Sequence, residues 1–285
     1  METIYLKKPE LQRDIWLAEG VLKGKIKKAF SWVYGNTNED LEFVFENVNV
    51  KNKNVLTVLS SSDYLFMAHL FGAKTVDCFD INPLAHRLFF LRKWLLQAGY
   101  IDLGFCNYKK LETILNSVTT TYSQYEKDSL VFWKTILPKM KDNLYHSDLI
   151  ITPINPLDYF YSKRMDELVE ITRTMDPNFQ TLDIRSESGF DTDKEYDYVF
   201  LSNILDYNRF PDRLETIKKN ILPVLSSKGK IVCTHIPFYN SENYFEVMKE
   251  EREIFRKEFS FKPIDEQMID RKHAVYQYTR KNQKD

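Results

Sequence analysis

The stretch VLTVLSSSDYLFMAHLFGAKTVDCFDINP, residues 55–83, decides the fold of this chain. It begins with a short apolar run, turns at the Ser-Ser-Ser-Asp segment of residues 60–63, and continues with helical spacing to a stop at Gly72. A second apolar run follows and ends on Asp80. The order strand, turn, helix, strand predicts the start of a nucleotide-binding βαβ unit, although serines stand at the turn where such units usually carry glycines.

The rest of the chain extends this pattern into a larger α/β fold. A helix is predicted from Pro83 to a stop at Gly99, and residues 100–179 are predicted to form helices inserted over one edge of the sheet. Strand and helix patterns then alternate again, and two strand-like segments close the chain. We therefore expect a mostly parallel sheet with a C-terminal antiparallel hairpin, N-terminal helices and a helical insertion. With its terminal hairpin this arrangement resembles the class I methyltransferase type of the Rossmann-like fold. The predicted domains are an N-terminal helical cap over residues 1–50 and a sheet domain over residues 51–285.

Composition and charge narrow the class of function. The chain has 285 residues, of which 43% are hydrophobic and 14% aromatic, enough for a sizeable core. Forty basic side chains face forty-one acidic ones, so the formal charge of -1 gives no reason to expect a nucleic-acid partner. The three cysteines are far apart in the sequence and form no C-x-x-C pair, so neither a zinc site nor a disulfide framework is predicted and no metal is expected.

The sequence also bears on location. The first residues are charged where a signal peptide would be apolar, and no apolar run approaches the ~20 residues needed to cross a bilayer. We expect a cytoplasmic protein without a transmembrane segment. The lysine-rich residues 21–30 favour a solvated helix face. A peripheral contact with a membrane surface is the alternative interpretation. The sequence gives no prediction of the oligomeric state.

Asp80 is the sharpest candidate for ligand binding. In a doubly wound sheet, ligands bind beyond the carboxyl ends of the strands, and Asp80 ends the second predicted strand about 20 residues after the first turn. A carboxylate at this place accepts the hydroxyls of a ribose. The alternative is a helix cap before Pro83, a role that Asn82 fills better by its position.

The serine loop, residues 60–63, admits two interpretations. Its hydroxyl and N–H groups suit a carboxylate at a helix N-terminus, but serine and aspartate are also ordinary helix caps. The missing glycines argue against a dinucleotide, whose pyrophosphate needs a close approach to the backbone. They argue much less against a smaller adenosine ligand such as S-adenosylmethionine, which has no pyrophosphate.

Further candidates lie where later strands are predicted to end. We expect Asn203 to face the crevice, because a turn and a helix cap account for Asp206 but not for an amide at the end of an apolar strand. For His235 a structural role and a catalytic role both stay open. The complete set of later candidates is Asp183, Ser202, Asn203, Asp206, Tyr207 and His235.

Several of these motifs occur together in one known family. They are the serine loop Ser60, Ser61, Ser62 and Asp63, Asp80 with Asn82 and Pro83, the segment LSN of residues 201–203 with Asp206 and Tyr207, and the acidic stretch Asn38, Glu39 and Asp40. Over residues 36–99 and 196–236 the chain resembles the S-adenosylmethionine:diacylglycerol 3-amino-3-carboxypropyltransferases of betaine-lipid synthesis. The helical insertion has no counterpart in this resemblance.

The resemblance implies a cofactor and a set of roles. It implies that S-adenosylmethionine is bound by the sheet domain, and we assign this binding to Ser60, Ser61, Ser62, Asp63, Asp80, Asn82, Asp183 and Ser202. The catalytic candidates are Asn203, Asp206, Tyr207 and His235. The implied reaction transfers a 3-amino-3-carboxypropyl group to a small-molecule or lipid-like acceptor.

Two other functions stay open at this point. Methyl transfer shares nearly every cofactor contact with aminocarboxypropyl transfer, because the orientation of the ligand decides which carbon is attacked. A non-catalytic binding or assembly protein is favoured by the serine loop and by the lack of a convincing general base. The presence of Asp80, Asn203 and Asp206 argues against this second alternative.

Overall fold

The structure is a computed structural model of the whole chain. It describes residues 10–26, 33–34, 39, 41–100, 108–140, 150–151, 164–184, 189–204, 212–235, 253, 257, 259–265 and 274–281.

The strands within this part of the chain alternate with helices, as the sequence predicted. They are β1 Val33–Tyr34, β2 Asn54–Val58, β3 Thr75–Asp80, β4 Ile150–Ile151, β5 Phe179–Thr181, β6 Tyr196–Ser202, β7 Leu225–His235, β8 Phe259–Asp265 and β9 Ala274–Arg280. The α-helices are α1 Leu11–Leu22, α2 Leu41–Asn47, α3 Asp63–Leu70, α4 Ala85–Gln97, α5 Tyr108–Ser117, α6 Gln124–Ile136, α7 Met165–Thr174 and α8 Asp212–Thr216.

Seven of the strands form one sheet in the order β5-β3-β2-β6-β7-β9-β8. The pairs β3–β5, β2–β6 and β6–β7 are parallel, whereas β9 runs antiparallel to both β7 and β8. The strands β5-β3-β2-β6-β7 follow the order of a Rossmann sheet. The last two strands form the C-terminal hairpin, in which β9 lies between β7 and β8. The predicted fold class is therefore confirmed. Outside this sheet, β1 and β4 pair in parallel.

The chain divides into two compact units, and the first contains Met1–Asn38, Leu59–Leu70 and Asp77–Asp183. Helix α4 lies at the centre of this unit and packs against α5, α6 and α7. Every residue from Ala85 to Leu96 is buried, including four that are basic. A helix that is covered on all sides has no solvated face for its charges, so each buried charge needs a partner within the protein.

The second unit contains Glu39–Val58, Phe71–Val76 and Ile184–Asp285. Its core forms around β6, where the rings of Phe45 and Phe200 stack with their centroids 4.9 Å apart. In the adjacent strand β7, Ile231 and Val232 are completely buried. The mostly apolar β6 therefore pairs on both edges and is covered within this unit, as a buried parallel strand should be.

Strand β7 contains an irregularity that the sequence did not indicate. Leu225 pairs with Tyr196, but the next pair is Lys230 with Tyr198, so β7 has a bulge between these two pairs. A Cβ atom on Gly229 would lie 2.9 Å from the Tyr196 carbonyl O and 2.7 Å from the Leu225 side chain. This close approach of two backbones is the reason why glycine stands here.

Two helix predictions and one strand prediction need correction. The helical pattern that begins at Leu11 continues to an interruption near Gly35, but helix α1 ends at Leu22, because the Lys25 N–H folds back onto the Gly20 carbonyl and Gly24 takes a φ of 66°. The pattern of residues 210–225 predicts a single helix before β7, but the chain changes after α8 into a π-turn over Ile217–Ile221 and a 3₁₀ turn over Leu222–Val224 that contains Pro223. The pattern of residues 180–184 predicts a weak strand, which occurs at Phe179–Thr181.

The pattern of residues 241–259 predicts a further long helix, and this segment lies almost wholly outside the described residues. The division into a cap over residues 1–50 and a sheet domain remains a prediction. Among the described helices none has the length and apolar character to span a membrane.

Candidate functional site

The serine loop connects β2 to α3 in a left-handed backbone conformation. Ser60 has a φ of 42° and Ser62 a φ of 74°. A residue with a Cβ atom in this region costs about 1 kcal/mol more than glycine, which adopts it without strain. The Ser62 N–H donates to the Leu59 carbonyl at 2.6 Å and closes the turn. The loop thus has the backbone of a glycine turn without containing glycine.

Asp80 is hydrogen-bonded to this loop. Its Oδ2 accepts from the Ser60 N–H at 2.7 Å, and its Oδ1 accepts from the Asn82 N–H at 2.8 Å. The two bonds hold the carboxylate between the end of β3 and the serine loop, which is the place that the sequence predicted for it. A carboxylate has about four acceptor positions, and the N–H groups of Ser60, Asn82 and Ile81 leave capacity for about one further donor.

Burial raises the pKa of the Asp80 carboxyl to about 6, against the N–H groups of Asn82, Ser60 and Ile81, which lower it. The group is therefore ionised at neutral pH and becomes protonated under mildly acidic conditions. A carboxyl with a pKa this far above its ordinary value, placed beside a pocket, is typical of a functional position.

Asn82 combines both of the roles considered for it. Its Oδ1 accepts from the Leu84 N–H at 2.9 Å and so closes the turn that leads into α4. The residue also lines the pocket beside Asp80. Its amide is thus engaged in the local turn, while its position keeps it next to any ligand of Asp80.

Asp63 supports the loop from the first residue of α3. Its Oδ2 accepts from the Ser61 hydroxyl at 2.6 Å, and its Oδ1 pairs with Arg92 Nη2 at 2.7 Å. Arg92 also donates through Nη1 to the Ser61 carbonyl. Both carboxylate oxygens of Asp63 therefore bind groups of the protein itself, an arrangement that favours a supporting role over direct ligand contact.

Arg92 is one of three buried cations on α4, each paired with an acid from a different element. Arg87 contacts Asp14 of α1 through Nε and Nη2, both at 2.9 Å, and Lys93 Nζ lies 3.1 Å from Glu126 Oε1 of α6. All of these side chains are almost completely buried. The inserted helix α6 and the N-terminal helix α1 are thus attached to α4 by ion pairs as well as by apolar packing.

A small pocket with about 190 Å³ of empty space, part of it open to solvent, adjoins Asp80. It lies between the ends of β3 and β5, and its lining includes Cys78, Asp80, His86, Phe179 and Thr181. This space includes open solvent, and its enclosed part has room for about one water molecule, so the pocket marks open space beside Asp80 and does not by itself enclose a cofactor.

His86 is the lining residue whose role the sequence did not predict. Its Nε2 lies 3.2 Å from Asp14 Oδ2, and its ring is 6.0 Å from that of Phe179. Burial lowers the pKa of His86 to about 4, although Asp14 favours the charged form. The imidazole is therefore neutral at physiological pH.

Asp183 follows β5 by two residues and is buried. The chain is held there by the Leu182 N–H, which donates to the Asp80 carbonyl at 2.9 Å. Asp183 is therefore the next residue after Leu182, whose N–H contacts the end of β3 directly.

Ser202 and Asn203 belong to the second unit. Ser202 ends β6 with a φ of 49°, and its hydroxyl donates to Glu39 Oε1 at 2.8 Å. Asn203 Oδ1 lies 3.4 Å from the same hydroxyl. Glu39 is buried and comes from the acidic stretch of the resemblance, so this contact joins two of its motifs across 163 residues.

Three of the predicted candidates lie outside the described residues or at their edge. Asp206 and Tyr207 lie outside the described residues, and His235 is described only as the last residue of β7. Their roles remain predictions. Among the described residues no group of three or more His, Cys, Asp or Glu side chains could hold a metal ion.

The first unit therefore brings together Ser60, Ser61, Asp63, Asp80 and Asn82, while Ser202 and Asn203 meet Glu39 in the second. Sequence reasoning missed Arg92 and His86. One signal was available, since Arg87, Arg92 and Lys93 interrupt an otherwise apolar helix and must be buried if the helix is. Their acidic partners are too far away in sequence to be assigned.

Comparisons with known proteins add little to this site. No protein-family model matches the chain, and a search of curated proteins found no match.

Several solved structures have a weak likeness to the chain. A ribosomal protein L11 methylase from Lactobacillus delbrueckii subsp. bulgaricus is 13% identical with a TM-score of 0.40, over 87% of this chain and 83% of that one. The N-methyltransferase NodS from Bradyrhizobium japonicum, in complex with S-adenosyl-L-homocysteine, is 10% identical with a TM-score of 0.39, over 84% and 83%. A magnesium protoporphyrin IX methyltransferase from Synechocystis with bound S-adenosylmethionine is 11% identical with a TM-score of 0.36, over 97% and 86%. A likeness at these values carries no information on a ligand or a reaction of this chain.

Proposed function

We propose that this protein binds S-adenosylmethionine at the serine loop and Asp80, and transfers a group from it to a small-molecule or lipid-like acceptor. One observation carries the proposal. The Asp80 carboxylate is held by the Ser60 N–H at the carboxyl end of β3, next to a pocket, in a sheet with the Rossmann strand order.

The residues of the first unit suit an adenosine ligand. Asp80 keeps acceptor capacity for a ribose hydroxyl beside the backbone N–H groups of Ser60, Ile81 and Asn82. The pocket between β3 and β5 adjoins this carboxylate, so the carboxylate lies next to open space. The proposed ligand has no pyrophosphate, so the loop does not need the close backbone approach that glycine allows. Asp63 holds this loop through Ser61.

When bound, S-adenosylmethionine supplies a sulfonium whose neighbouring carbons are open to a nucleophile. Displacement at the methyl carbon leaves S-adenosylhomocysteine, and displacement at the aminocarboxypropyl carbon leaves methylthioadenosine; in both cases the electrons of the broken C–S bond stay on sulfur. The resemblance of the sequence favours aminocarboxypropyl transfer, and the fold suits methyl transfer equally well. The task of the protein is to align the acceptor with one of these bonds and to accept its proton.

We assign the acceptor side to Asn203, Asp206, Tyr207 and His235. Asn203 follows β6 directly and lies beside the strained Ser202, and His235 ends β7. These positions follow the carboxyl ends of parallel strands, which is where a doubly wound sheet places its reacting groups.

The cofactor is tested by calorimetric titration with S-adenosylhomocysteine. We expect the wild-type protein to bind and Asp80→Asn to bind about 10- to 100-fold more weakly, since a hydrogen bond to a charged group contributes about 1.5–3 kcal/mol. Asp77→Asn is the matched control, because Asp77 is a buried carboxylate of the same strand whose side chain leaves the opposite face. If the folded wild-type protein does not bind, or if both variants bind alike, the assignment of Asp80 is wrong.

The reaction is tested by identifying the fragment released from S-adenosylmethionine in the presence of small-molecule and lipid fractions. Methylthioadenosine would support aminocarboxypropyl transfer, and S-adenosylhomocysteine would support methyl transfer. Tight binding with neither product from any fraction would favour a protein that keeps the fold without turnover.

A further inference from the structure

The serine loop poses a physical problem, because two of its residues adopt a backbone conformation that glycine adopts at no cost. Ser60 and Ser62 have φ values of 42° and 74°. Residues held in this region persist only when the surrounding structure fixes them. The Ser62 hydroxyl adds to the cost, because it is fully buried and has no hydrogen-bond partner among the described residues.

The peptide bond between Ser61 and Ser62 is held at both of its polar ends. Its N–H, on Ser62, donates to the Leu59 carbonyl at 2.6 Å. Its carbonyl, on Ser61, accepts from Arg92 Nη1. With both ends fixed, the plane of this peptide cannot rotate, and the φ of Ser62 follows from that orientation.

The same guanidinium also fixes the residue after the strained serine. Arg92 Nη2 pairs with Asp63 Oδ1 at 2.7 Å, and Asp63 Oδ2 accepts from the Ser61 hydroxyl. Arg92 is 2% exposed, and its guanidinium lies over the Phe66 ring, 5.4 Å from the centroid. A planar fork with donors in two directions can make both contacts at once, whereas a lysine ammonium presents a single point charge.

We propose that Arg92 is a positioning residue that replaces glycine in this loop: it fixes the Ser61–Ser62 peptide so that the serines keep the left-handed turn and Ser60 can present its N–H to Asp80. The inference rests on the proposed function for its consequence in ligand binding. Arg92 acts through the loop and does not itself touch the ligand.

The first test compares Arg92→Lys with Arg87→Lys. Both change a buried arginine of α4 that is paired with an aspartate, but Arg87 contacts Asp14 and Ser129 and not the serine loop. We expect Arg92→Lys to speed amide hydrogen exchange at Ser60 and Ser62 at least 10-fold and to weaken S-adenosylhomocysteine binding about 5- to 20-fold. Arg87→Lys should leave both quantities within about 2-fold of the wild type.

A second variant separates positioning from general stability. Ser62→Gly removes the strained Cβ and the buried hydroxyl, so a loop with glycine should no longer need the arginine. We expect the loss of affinity caused by Arg92→Lys to shrink below about 3-fold when it is introduced into Ser62→Gly. A purely structural role would leave the loss unchanged, because glycine does not repair the pairing with Asp63.

The outcomes distinguish the two proposals. If the wild-type protein does not bind S-adenosylhomocysteine, the proposed function fails and the ligand role of Arg92 fails with it. If the wild-type protein binds, but Arg92→Lys exchanges and binds like the wild type, or like Arg87→Lys, only the role of Arg92 is overturned. Faster exchange with unchanged affinity, or an undiminished loss in the Ser62→Gly background, overturns it as well.

Discussion

Asp80 links the acidity of one side chain to ligand affinity. Because the pKa of its carboxyl is raised to about 6, ionisation is lost just below neutral pH, and a protonated carboxyl accepts hydrogen bonds from ribose hydroxyls less well. We expect the dissociation constant of S-adenosylhomocysteine to rise as pH falls from about 7 to 5, approaching 10-fold per unit below the pKa. Titration calorimetry over this range checks it, and a wild-type profile as flat as that of Asp80→Asn would contradict it.

The raised pKa of Asp80 affects the stability of the fold in the opposite direction from ligand affinity. The pKa of Asp80 is higher in the folded chain than the ordinary value of about 3.9, so the folded state binds the proton more readily than the unfolded state. The contribution of Asp80 to the free energy of unfolding therefore increases as pH falls from about 6 to 4. Weaker ligand binding in this window thus cannot be ascribed to acid unfolding through Asp80.

At the level of single residues, the sequence predicted positions better than partners. Asp80 and Asn82 were placed correctly at the end of β3 because strand ends follow from the apolar pattern. Arg92 and Glu39 were not assigned contacts, since the partner of Glu39 lies 163 residues away and a pattern of neighbours contains no such information. The positive φ angles of Ser60 and Ser62 could not be predicted either, because residues other than glycine prefer negative φ.

At the level of elements, the bulge of β7 gives a test of the sheet. Gly229→Ala would place a Cβ atom 2.9 Å from the Tyr196 carbonyl O, a contact that only movement of the backbone can relieve. We expect a loss of about 1–3 kcal/mol in the free energy of unfolding, measured by urea denaturation. Ser227→Ala, at an exposed residue of the same segment, should change it by less than about 0.5 kcal/mol. Equal midpoints for the two variants would show that the strand tolerates the methyl group.

Helix α4 shows what element-level prediction captures and what it omits. Its existence and its end at Gly99 followed from apolar spacing and from a glycine stop, and Gly99 indeed has a φ of 82°. Its burial on every side did not follow, because Arg87, Arg92 and Lys93 suggest a solvated face. The helices that cover it come from residues 10–22 and 108–174, which the βαβ pattern does not include.

At the level of the whole molecule, ligand binding should appear as thermal stabilisation. A ligand present at 100 times its dissociation constant that binds only the folded state adds about 2.7 kcal/mol to the free energy of unfolding. For a chain of this size we expect S-adenosylhomocysteine to raise the melting temperature by about 5 °C. Differential scanning calorimetry checks it. Asp77→Asn should keep the shift and Asp80→Asn should lose most of it; a shift that survives Asp80→Asn in full would place the ligand elsewhere.

The serine loop has a consequence for the order in which mutations can occur during evolution. Some serine codons differ from glycine codons at a single base, so glycine can be lost from this loop in one mutation. With Arg92 acting as proposed, that mutation is tolerated only where the guanidinium already contacts the Ser61 carbonyl, and the order of the two changes is therefore constrained. In descendants of a common ancestor, chains with serine in the loop should then always have the helix arginine, chains with both the glycine and the arginine should also occur, and chains that lack both should be absent.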